Sequence, residues 1–304
     1  MDAYIGEFAA LGTATAWSFT SIFFTLSGRL VGSPVVNRTR LLLAFIMISL
    51  FHWITRGEVI PLNADPERWF WLGLSAIIGY IFGDALLFQA FVMIGARLSM
   101  LIMALAPVFS VILGWWLLDE ALTGMELLGI ALAIGGVIWV ITDRSPANGM
   151  VQRERGTRYY MIGLLCGLGG ALGQAVGLIA SRKGVEGDFS AISGNLIRLL
   201  VAALVMWIIA IANRQVTGNF RKLREKPRAA GYITTGAIAG PFIGVTLSLV
   251  AVQHTEVGIA STLMGLTPVF LLPIGYFAFK ENIGFRAVVG TVLAVAGTAV
   301  IFLS

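Results

Sequence analysis

An acidic side chain, Asp84, interrupts the apolar stretch that runs from about residue 68 to 91. At 1.5 Å of rise per residue it stands ~13 Å from the end of a helix over that stretch, near the middle of a bilayer. A charge at such depth costs at least ~2.5–3.5 kcal/mol, so it needs a task or a partner. As a functional group it would receive a substrate ammonium or carry a transported proton. As a structural group it would hydrogen-bond a neighbouring helix.

Two arginines raise the same question. Arg40 and Arg198 lie ~10 Å inside their helices by the same rise, while Glu120 and Glu281 follow apolar runs at tight turns. If the chain's two halves are inverted, Arg40 shares a level with Glu281 and Arg198 with Glu120, and each pair would latch one gate. The alternative is that the arginines snorkel to the interface and the glutamates cap the next helix. Pro107 and Pro268 fall in the middle of apolar runs, where each frees a carbonyl four residues back, at Met103 and Met264. They fit either bending gates or ordinary packing kinks. Trp17, Tyr80, Gln89, Gln174, Asn195 and Gln253 are the remaining candidates to line a substrate cavity, as the few polar or aromatic groups in an apolar pocket.

Enzymatic chemistry has little material. His52 and His254 fall near helix ends, and the single cysteine, Cys166, sits in a Gly-rich apolar run. The sequence holds neither a metal-ligand cluster nor a phosphate-binding loop. No catalytic residue, metal, cofactor or direct ATP drive is expected.

What positions these residues is an apolar chain repeated on itself. Hydrophobic residues make up 58% and charged residues 12%, against about 25% charge in soluble domains; the mean hydropathy is +0.88. Ten apolar runs of membrane-spanning length are expected, at about 4–27, 34–56, 68–91, 97–118, 123–142, 157–181, 190–213, 229–252, 258–279 and 284–303. Residues 83–142 overlay 244–303 without a gap at an offset of 161, matching Gly83 with Gly244, Pro107 with Pro268, Glu120 with Glu281, Gly129 with Gly290 and Gly136 with Gly297. Upstream, Arg40 matches Arg198 at offset 158, and Trp17 matches Gln174 at 157; the place of Asp84 is taken by Val245. The expected units are 1–142, a basic connection over 143–156, and 157–304. Five helices per unit is an odd number, so the units must cross in opposite senses, as in transporters built from inverted repeats.

The glycines of the sixth run (Gly163, Gly167, Gly169, Gly173, Gly177) and of the fifth and tenth predict close helix packing, or a homodimer through peripheral helices. Lysines and arginines concentrate in the odd-numbered connections, with clusters at 144–158 and 214–228, which predicts those connections on the cytoplasmic side and both termini outside. These clusters read as topology determinants beside anionic lipid rather than nucleic-acid sites.

The residues Ala106-Pro107-Val108-Phe109, Asp119-Glu120, Leu128-Gly129 and Gly135-Gly136, echoed by Thr267-Pro268-Val269-Phe270, Lys280-Glu281, Val289-Gly290 and Gly297, resemble the EamA family of the drug/metabolite transporter superfamily. The resemblance covers nearly the whole chain. It implies an all-α integral membrane fold of ten helices around a central cavity, in a bacterial inner membrane, and export of small metabolites, amino acids prominent among them, by alternating access. A coupling proton is compatible with Asp84. Cationic drugs, nucleotide-linked sugars, or a non-transporting scaffold are the competing expectations.

Overall fold

The structure, a computed structural model, describes residues 4–118, 122–142, 156–186, 189–254, 257–279 and 284–303. All regular structure among them is helical, because in hydrocarbon each backbone donor and acceptor must be satisfied within its own segment. The first half comprises α1 (Ile5–Val31), α2 (Ser33–Arg56), α3 (Pro66–Ala76), α4 (Asp84–Met103), α5 (Ala106–Leu118) and α6 (Gly124–Ile141). The second comprises α7 (Thr157–Gly184), α8 (Ala191–Ala212), α9 (Val216–Glu225), α10 (Pro227–Ala237), α11 (Val245–His254), α12 (Val257–Met264), α13 (Thr267–Phe279) and α14 (Phe285–Leu303).

Eight of the ten expected spans are long and apolar enough to cross a membrane. The fourth and ninth are not single helices. The regular α-helical pattern is interrupted at Ala104–Leu105 between α4 and α5, where the Leu105 N–H donates to the Ile102 carbonyl at 3.0 Å, and at Gly265–Leu266 between α12 and α13. Pro107 and Pro268 are the second residues of α5 and α13, and each interruption follows directly on the residue whose carbonyl the proline frees, Met103 or Met264. A proline is at home there, because a first-turn N–H has no intrahelical acceptor to lose. Gly95 makes the other sharp corner: its φ of 83° lies in the left-handed region that glycine tolerates, and it divides the third expected span from the fourth. The polar connection after α8 also holds more structure than its composition suggests, since α9 folds over 216–225 and buries Asn219.

Both halves contain a π-helical turn at the same place in the repeat: Ile77–Gly83 joins α3 to α4, and Ile238–Gly244 joins α10 to α11. A π turn holds an extra residue and so rotates the helix beyond it by roughly 100° relative to an unbroken α-helix. Gly83 and Gly244 close these turns where the chain meets the first helix of the opposite half. A Cβ at Gly83 would stand 3.3 Å from the Gly173 carbonyl carbon, and one at Gly244 would stand 2.7 Å from the Trp17 indole nitrogen.

The inversion can be followed contact by contact. Phe24 meets Phe88 at 5.0 Å between ring centroids, and Gly28 abuts Val92, so α1 and α4 run the same way. Leu87 packs on Gly170 and Ile94 on Gly163, so α4 and α7 run oppositely. The equivalent helices α1 and α7 therefore cross in opposite senses. A second signature lies where α6 crosses α14: Gly129 abuts Gly297 and Gly136 abuts Gly290, with backbone so close that a Cβ at Gly136 would stand 2.5 Å from the Gly290 carbonyl oxygen. The outer surface is apolar, with Phe8, Ile54, Trp116 and Phe277 all exposed. Side chains of that kind belong against lipid.

Candidate functional site

Between the halves lies a cavity of about 720 Å³. Its wall draws on α1, α2, α4, α5, α7, α8 and α11, and extends to Val185 and Gly194 at the end of the bundle that carries the 185–190 connection. Phe24, Phe88, Phe91, Met100 and Met103 make one side apolar. Three charged side chains line it among the described residues: Arg40, Asp84 and Arg198.

The Arg40–Asp84 pair is the most constrained part. Arg40 is 6% exposed and Asp84 5%. The Arg40 Nη2 forms an ion pair with Asp84 Oδ2, and its Nε donates to Asn37 Oδ1 at 3.1 Å. Asn37 in turn donates its Nδ2 to the Tyr80 carbonyl at 3.2 Å. The other Asp84 oxygen accepts from Gln174 Nε2 at 2.6 Å, across the boundary between the halves. The Arg40 guanidinium also lies 4.8 Å from the Phe88 ring centroid, within cation–π range. Both carboxylate oxygens are thus occupied. In a dry site this matters, because a buried ion pair is tolerated when its remaining donors and acceptors are also satisfied.

The equivalent cluster in the second half is incomplete. Asn195 and Arg198 repeat Asn37 and Arg40 at the same three-residue spacing, but Val245 stands where Asp84 would be. The Arg198 guanidinium sits 4.3 Å from the Tyr80 ring centroid. Asn195 Oδ1 accepts the Tyr80 hydroxyl at 2.6 Å. Arg198 Nε and Asn195 Nδ2 are buried and find no acceptor among the described residues. Leaving such donors unmade costs about 1–3 kcal/mol each, and more for a charged group.

The expected site residues separate accordingly. Trp17, Tyr80, Asp84, Gln174, Asn195, Arg40, Arg198 and Pro107 all line the cavity. Gln89 does not; it accepts the Ser33 hydroxyl at 2.6 Å where α4 meets the start of α2. Pro268 is not part of the wall either. Glu120, Glu281 and the Gln253 side chain lie outside the described residues. The arginines do not snorkel toward opposite faces: both turn inward onto Tyr80, with Arg40 Cζ 5.8 Å from its ring. Arg40 takes its carboxylate from Asp84 of its own half, and the latch with Glu281 falls outside the described residues. Asn37 was overlooked in the sequence, although its repetition at Asn195 with the same offset as the arginines was visible there.

Comparison with known proteins agrees with this architecture. A solved structure, described only as the crystal structure of a protein, superposes with a TM-score of 0.60 at 15% identity, covering 96% of this chain and 95% of its own; at that identity it speaks for the fold alone. An uncharacterized transporter of Clostridium kluyveri is 25% identical over 126 residues, which is 41% of this chain and 38% of that protein's length. The family model described as the EamA-like transporter family matches twice, over residues 4–142 and 161–303. With both halves covered, this multi-pass membrane protein belongs to the EamA-like transporter family, a branch of the drug/metabolite transporter superfamily.

Proposed function

We propose that the chain is a secondary-active carrier that exports small organic metabolites, amino acids among them, across a bacterial inner membrane by alternating access. The observation that carries this reading is the unequal packing of equivalent helices around one cavity. In the first half, α1 packs along both α2 and α4. Among the described residues, α7 makes no comparable contact with α8 or α11, its counterparts in the second half. Cross-half packing is by contrast alike on the two sides, with α1 on α10 and α7 on α3. This unequal packing fits a state with one end of the cavity closed and the other open. If the halves exchanged conformations, the open end would close and the closed end would open.

Counterflow in proteoliposomes tests the reading. Protein loaded with unlabelled amino acids and small organic acids should draw in at least one labelled member of the panel, with a rate that changes under an imposed pH gradient if a proton is coupled. Folded protein that exchanges no compound, and an Asp84→Asn variant indistinguishable from it, would favour a scaffold instead. Two guanidinium groups against one carboxylate in the wall speak against a cationic drug as cargo.

A further inference from the structure

We infer that the substrate brings a carboxylate of its own, and that this carboxylate does for Arg198, beside Asn195, what Asp84 does for Arg40, beside Asn37. The inference rests on the carrier reading and narrows it to an organic monoanion with an apolar or aromatic body.

The repeat supplies the argument. Arg40 presents its Nη2 to a protein carboxylate, Asp84, while Asn37 accepts the Arg40 Nε and donates to the Tyr80 carbonyl, which fixes the guanidinium. Asn195 and Arg198 come from the equivalent stretch of the second half and line the same cavity. There the carboxylate is missing, because Val245 replaces Asp84. Two buried donors, Arg198 Nε and Asn195 Nδ2, are left without acceptors among the described residues. A guanidinium offers a fork of N–H groups that matches a planar carboxylate. The missing acceptor is therefore the kind of group a small organic acid carries.

Charge balance points the same way. The wall holds two guanidinium groups and one carboxylate among the described residues, so one added negative charge neutralises it. A zwitterion adds none. Its ammonium would seek Asp84, whose charge is already balanced by Arg40 and which also accepts from Gln174. The rest of the substrate meets Phe24, Phe88, Phe91, Met100 and Met103, a surface suited to an aromatic or aliphatic body.

Three compounds sharing one body separate the possibilities: 3-phenylpropionate, phenylalanine and phenethylamine, tested at equal concentration and pH 7 on the purified full chain. Ligand-dependent shifts of the unfolding temperature should rank anion above zwitterion, with none for the amine. Arg198→Gln should weaken anion binding at least tenfold. Val245→Asp should do the same by supplying Arg198 with an internal carboxylate. An amine that stabilises as strongly as the anion overturns the inference. So does anion binding unaffected by Arg198→Gln, or no shift with any of the three compounds. The ranking on the unaltered protein decides the matter even if a variant fails to fold. Counterflow of some other compound, insensitive to Arg198→Gln, would sink the anion site and leave the carrier standing. Absence of counterflow with every labelled compound, despite ranked binding, would remove the carrier reading instead.

Discussion

The two Asn-x-x-Arg stretches, Asn37 to Arg40 and Asn195 to Arg198, are copies with different fates. In the first, Asp84 neutralises the arginine and Gln174 of the opposite half holds the acid. In the second, the arginine leans on the Tyr80 ring with its Nε unpaired. The copies differ in Asp84 against Val245, and in what their asparagine oxygen accepts: the Arg40 Nε in the first, the Tyr80 hydroxyl in the second. The same Asn-x-x-Arg frame stands in each half, and the half that lacks the acid is where the inferred ligand carboxylate fits. The packing differs in parallel: helices around the completed cluster are drawn together, while those around the incomplete one stand apart.

The most direct way to break the comparison is to make the first half resemble the second. Asp84→Asn removes the countercharge and leaves Arg40 buried, which should destabilise the protein by about 3–5 kcal/mol. The unfolding temperature in detergent measures this. The paired change Arg40→Gln with Asp84→Asn should recover much of the loss, since it removes the stranded charge as well. If Asp84→Asn is as stable as the unaltered chain, the ion pair is not what holds α2 to α4. The matching change in the second half, Arg198→Gln, strands no protein carboxylate and should cost far less stability.

A second contrast concerns the α6–α14 crossing, where the halves are alike. Gly136 faces the backbone of α14 with no room for a Cβ, whereas a Cβ at its neighbour Gly135 would meet nothing within 4 Å. Gly136→Val should therefore destabilise by about 1–3 kcal/mol through overpacking. Gly135→Val should lie within about 0.5 kcal/mol of the parent, in the range of surface changes. Equal effects at the two positions would mean that the helices do not cross at this face.

Much of this frame was legible in the sequence. Continuous apolar runs locate most helices, because length and hydropathy alone set the spans, and the gapless overlay at offset 161 with five runs per half forces the inversion. Three features were not legible, each for a physical reason. The breaks at 104–105 and 265–266 lie within uninterrupted hydrophobicity, so only Pro107 and Pro268 hinted at them, and proline is equally at home in a kink or a first turn. The π turns contain Gly79, Gly83, Gly240 and Gly244, and glycines in an apolar run do not by themselves separate a π turn from an unbroken α-helix. The pairing of Arg40 with Asp84 was not legible because depth along a helix locates a Cα, while a long side chain can turn from its own level toward the bundle axis.

The smallest expected effect is the one that best sharpens the comparison of the two asparagines. Asn37 makes two hydrogen bonds, one to Arg40 and one to the Tyr80 carbonyl, and both serve a filled cluster. Asn195 makes one, from the Tyr80 hydroxyl, and keeps its amide donors unpaired. Asn37→Ala should therefore lower stability by about 1–2 kcal/mol, with the charged partner setting the upper end. Asn195→Ala removes a group with an unsatisfied donor, so its loss of stability should be about 1 kcal/mol or less. Transport should order the same pair the other way. The half-saturation concentration in counterflow should rise for Asn195→Ala and stay near the parental value for Asn37→Ala. Equal responses in both measurements would mean that the two copies still share one role, and the absence of an acid at Val245 would then have no functional meaning.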